Sequence, residues 1–61
     1  MKFVLEINCD NAVFEENGKH NEVARILEKI AAAFVESHTE RGTLRDLNGN
    51  IVGQWKFVDE D

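Results

Sequence analysis

The chain has 61 residues, 43% of them apolar, and 12 Asp and Glu against 7 Lys and Arg give a net charge of −5. This length holds a single domain, residues 1–61, around one small core, which leaves little packing to give up for a substrate cavity and weighs against an enzyme. The negative balance repels nucleic-acid phosphates and anionic membrane surfaces at long range, so the expected partner is basic or neutral, with no direct nucleic acid and no membrane.

Phe3, Leu5 and Ile7 alternate with Val4, Glu6 and Asn8, the period of a half-buried strand over residues 2–8 with its odd-numbered side chains inward. The apolar opening Met1-Lys2-Phe3-Val4-Leu5 is interrupted by Glu6, Asn8 and Asp10, far short of a signal-peptide core or a membrane span. Cys9 stands alone, so no intrachain disulfide forms, and a single thiol suits a reducing, cytoplasmic setting. Residues 9–20 carry turn formers and acid around Ala12, Val13 and Phe14, and read as a loop pinned by Phe14.

From Asn21 the period changes. Val23, Ile26, Leu27, Ile30, Ala31, Phe34 and His38 recur at three- and four-residue steps, predicting one long helix over 21–38. Asn21 is the expected N-cap, and Glu22, Arg25, Glu28, Lys29 and Glu36 are placed on the outer face.

Two β-prone runs then flank Asp46-Leu47-Asn48-Gly49-Asn50, predicting a hairpin over 42–58 and an acidic tail at 59–61. The turn reads as type I closed by Gly49 in the left-handed region, pairing Asp46 with Asn50 and Leu44 with Val52. Trp55 and Phe57 then have the wrong parity for the core, which a bulge at Gly53 corrects. The predicted fold is α+β: β-α-β-β, a three-stranded antiparallel sheet in order 1-3-2 with one helix on one face. The other face is open and mixed, with Val4, Ile51 and Val58 beside Glu6, Gln54 and Lys56.

No catalytic constellation or cofactor site is assembled by these residues. Ser37 and His38 are adjacent on a helix end and point apart, and Cys9, His20 and His38 lack metal-ligand spacing. The Asp46–Asn50 stretch lacks the twelve-residue ligand pattern of a calcium loop, so turn chemistry explains it. The binding candidates are the acids Asp10, Glu15, Glu16 and Asp46 at one end of the sheet, Asp59 and Glu60 at the other, and Trp55, a residue type frequent at interface hot spots. A charge of this size is also ordinary for solubility, so charge alone assigns nothing.

The opening Lys2 to Phe14, the helix segment Glu22 to Leu27, and the block Gly42 to Asn50 with Val52-Gly53 together resemble a family of short acidic proteins carried by bacteriophages and mobile elements. The resemblance implies an inhibitor of host defence, in the manner of small acidic anti-CRISPR proteins, type I-C inhibitors among them, that bind the DNA-recognition surface of a Cascade complex. Together with the acidic balance and the missing catalytic constellation, it leads to the expectation of a monomer acting by DNA mimicry, and it supplies no catalytic residues. The alternative is a phage structural, assembly or regulatory module that acts through its open sheet face, or one that binds nucleic acid through Arg41, Arg45 and Lys56.

Overall fold

The computed structural model describes residues 1–60; Asp61, the last residue of the expected acidic tail, lies outside the described residues. The elements are β1 (Lys2–Ile7), α1 (Ala12–Glu16), α2 (Lys19–Glu36), β2 (Arg41–Arg45) and β3 (Ile51–Val58). The strands form an antiparallel sheet in the order β1-β3-β2, so the α+β class and the central position of β3 are as predicted. Val13, Phe14, Ile26, Ile30, Leu44, Val52 and Trp55 make the core between the helices and one face of the sheet.

The expected loop at 9–20 is instead interrupted by α1, which buries Val13 and Phe14. One turn is too short to show a period and is marginal on its own, so it forms by docking its apolar pair into the core. Gly18, at φ 86°, breaks the chain between the helices, and its carbonyl accepts the Glu22 N–H at 3.0 Å as α2 begins. The helix therefore starts at Lys19 and not at Asn21, whose side chain donates to the Asn17 carbonyl from within the first turn. It ends at Glu36, and Ser37 is already extended, which leaves His38 outside.

The inward row of α2 is Glu22, Ile26 and Ile30 at four-residue steps, with Val23 and Phe34 half-buried beside it. Leu27 and Ala31, expected on the stripe, are exposed because the row facing the narrow sheet lies to one side of them.

The turn follows the predicted design. Gly49 donates to the Asp46 carbonyl at 3.0 Å, Asp46 N–H donates to the Asn50 carbonyl at 2.9 Å, and Gly49 has φ 86°. Leu44 pairs with Gly53 and not with Val52 as expected, and Arg45 pairs with Ile51, so Val52 is the extra residue of a β3 bulge, one position before the expected site. The parity is reset as required: Val52 and Trp55, three residues apart, both face the core. Gly53 sits where β1 crosses closest, and a Cβ there would lie 1.9 Å from the Glu6 carbonyl oxygen.

Candidate functional site

The helices meet the hairpin turn through two inward carboxylates. Glu22, placed on the outer face by its polarity, is wholly buried, and this corrects that assignment. Its Oε2 accepts the Leu47 N–H at 2.8 Å and an Arg25 Nη2–H at 2.9 Å, while Oε1 accepts Arg25 Nε at 3.0 Å and Asn17 Nδ2 at 3.2 Å. Arg25 also donates to the Arg45 carbonyl at 3.2 Å. The Arg25 hydrogen bonds, opposed by burial and aided by the Leu47 N–H, hold the Glu22 carboxyl below its usual range.

Asp46 was expected among the acids offered to a partner, and the structure instead leaves it 4% exposed. Its Oδ1 accepts the Asn48 and Asn50 N–H groups, each at 2.9 Å, and its Oδ2 accepts Asn11 Nδ2 at 3.0 Å and Asn50 Nδ2 at 3.2 Å. The Asn11 bond is the leading cause that lowers its pKa, with the turn amides adding to it. Both carboxylates are thus ionised at neutral pH, with their oxygens occupied. A general base poised near neutral pH needs the opposite shift, so their chemistry is to tie α1, α2 and the turn together.

What remains at this end for a partner is Asp10, Glu15 and Glu16, all exposed and beside that tie. The ion pairs among the described residues are Arg25 with Glu22 and Lys2 with Glu60 at 3.8 Å, so no cation neutralises the three. Asp59 and Glu60 follow β3 at the opposite end, as expected, and Glu60 is the one paired to Lys2. Trp55 is 7% exposed and belongs to the core, with Phe34 edge-on at 4.7 Å and Phe3 at 5.9 Å. It acts on any surface through the packing beneath it, while Phe3 and Phe57, 43% and 38% exposed, present that cluster outside.

The open face brings together Arg41, Arg45 and Lys56, the cations of the alternative reading, and adds Lys2 to them. Leu44 and Trp55 face the core, so alternation sends Arg41, Thr43 and Arg45 of β2 and Gln54 and Lys56 of β3 to the other side. Lys2, Val4 and Glu6 of β1 join them, and the register sets Val4, Lys56 and Arg41 in one row and Glu6, Gln54 and Thr43 in the next. Arg41, Arg45 and Lys56 thus gather there with Lys2, which pairs with Glu60, and Glu6 is the acid on the same face of the strands, although the whole chain is acidic. The signal lay in strand parity, which becomes readable once the three strands are aligned.

Cys9 and His20 come to one shallow apolar depression with Val23 and Leu27, while His38 lies elsewhere, near Phe34 and Phe57. No group of three His, Cys, Asp or Glu side chains suited to a metal occurs among the described residues, and no helix there is long and apolar enough to cross a membrane. Comparison with family models, with curated proteins and with solved structures finds no match to this chain.

Proposed function

We propose that this protein acts by stoichiometric binding and not by catalysis, as a phage-encoded inhibitor whose acidic end occupies a basic nucleic-acid-binding surface of a Cascade-type host defence complex in place of DNA. The observation that carries the reading is that Asp10, Glu15 and Glu16 are exposed and uncompensated on a base fixed by the inward bonds of Glu22 and Asp46. Carboxylates on a fixed base can meet a cationic groove without the ordering cost of a flexible tail. The sequence resemblance to small acidic phage proteins supplies the class of target.

The test is displacement of DNA from a purified type I-C Cascade complex by the protein and by two charge-reversed sets, one at Asp10, Glu15 and Glu16 and one at Asp59 and Glu60. The first set is expected to lose competition with an unchanged circular-dichroism spectrum; full competition by both sets overturns the proposal.

A second reading is favoured by the cationic open face: an interaction module that works through its sheet. A low-salt mobility shift with single- and double-stranded oligonucleotides, absent in an Arg41→Glu, Lys56→Glu variant, would support direct nucleic-acid binding in place of mimicry.

A further inference from the structure

Beyond the acidic end, we propose a second docking surface: the outer edge of β2, with the groove between β2 and α2, accepts an extended acidic peptide as a fourth strand. The edge is open. Glu40 and Asp46 direct their backbone groups at β3, through Phe57 N–H to Glu40 O at 3.0 Å and Asp46 N–H to Asn50 O at 2.9 Å. Alternation along the strand therefore turns the N–H and C=O groups of Arg41, Thr43 and Arg45 away from the sheet. The Arg25 guanidinium on the Arg45 carbonyl confirms that direction and closes the edge at its turn end. The remaining outward groups of Arg41 and Thr43 and the Arg45 N–H have no hydrogen-bond partner among the described residues.

Beside this edge lies a groove of about 220 Å³, floored by Ile26, Ile30 and Ala33 of α2 with Leu44 and Trp55 of the sheet, and rimmed by Lys29. A strand added at the usual spacing of about 4.8 Å sends alternate side chains into this groove and the others onto the open face. The first set meets apolar surface. The second set lies next to Arg41 and Arg45, which selects carboxylates at those positions. The occupant is thus defined as apolar residues alternating with Asp or Glu.

The same charges argue against other occupants. A second copy paired antiparallel across Thr43 sets Arg41 of each chain beside Arg45 of the other, and like charges directly opposite oppose pairing. A long polyanion meets the repulsion of the whole chain, at −5, whereas a short peptide is matched locally within a screening length of about 8–10 Å. The edge of β1 lacks this selectivity, because Lys2, Val4 and Glu6 on its open face are of mixed character.

The test uses a synthetic peptide alternating valine with glutamate, flanked by prolines to stop self-pairing, titrated into the isotope-labelled protein while amide resonances are followed. The amides of Arg41, Thr43 and Arg45 are expected to shift, and the lysine-for-glutamate peptide is expected to bind at least about tenfold more weakly. Thr43→Pro removes an outward donor without breaking the β2–β3 ladder and should abolish the shifts; a peptide N-methylated on its edge-facing amides should do the same with the protein unaltered. Arg41→Glu should weaken the preference for glutamate over lysine and the double variant Arg41→Glu, Arg45→Glu should reverse it, whereas reversing Asp10, Glu15 and Glu16 should leave peptide binding unchanged, which separates this surface from the acidic end. Equal binding of the lysine or N-methylated peptide overturns the proposal, as does self-association in sedimentation that Thr43→Pro removes, or a stronger shift of these amides by a single-stranded oligonucleotide.

Discussion

Glu22 does the work of a core residue with a charged side chain, and that has a measurable cost when it is changed. Glu22→Gln keeps the shape but leaves Arg25 without its bidentate acceptor, and is expected to destabilise the fold by about 1–3 kcal/mol in urea unfolding, moderated because the Arg25 side chain is 29% exposed. The pH dependence has a definite sign. Folding holds the pKa of both Glu22 and Asp46 below the ordinary values of 4.5 and 3.8, so their contribution is complete above the ordinary values and is lost as pH falls through the lowered ones. The urea midpoint should therefore be level near neutrality and fall on acidification, with a shallower acid limb in Glu22→Gln; an unchanged limb in that variant would show that Glu22 plays no part. Polarity hid this residue in the sequence. Its place four and eight positions before Ile26 and Ile30, with Arg25 three positions on, was the available sign that it belongs to the inward row.

At the scale of elements, the hairpin was the most legible part, because Asp46, Asn48 and Gly49 each perform a local job that needs no tertiary context. Helix α2 was legible through its period, while its start was displaced by Gly18 and α1 was missed, since one turn held by Val13 and Phe14 has a tertiary cause. The bulge was legible from parity alone, one residue from where it lies. Gly53 gives that region a sharp test: Gly53→Ala sets a methyl group against the Glu6 backbone and should cost about 3 kcal/mol or more, since neither strand can yield without opening the ladder. The aromatic cluster gives a second. Phe34→Ala removes the ring that contacts Phe3 at 5.5 Å and Trp55 at 4.7 Å, and is expected to cost about 2–4 kcal/mol by thermal or urea unfolding, with a change in tryptophan fluorescence.

The whole molecule is a slab with extents of 40 × 25 × 17 Å, acidic at both ends of the sheet and basic on its open face. The two acidic ends are separated by the length of the strands, beyond a screening length of about 8 Å, so each acts on its surroundings independently. Reversing Asp10, Glu15 and Glu16 is accordingly expected to change stability by no more than about 0.5 kcal/mol per site, whereas reversing Asp46 should unfold the protein; urea denaturation of both variants checks the contrast. The strand order carries a consequence for biosynthesis. β3 lies between β1 and β2 yet follows every other element in sequence, so a growing chain holds two strands with no template until Ile51 to Val58 have left the ribosome. Sheet formation therefore waits for β3, and until it is present the apolar side chains of β1 and β2 have no central strand to order them.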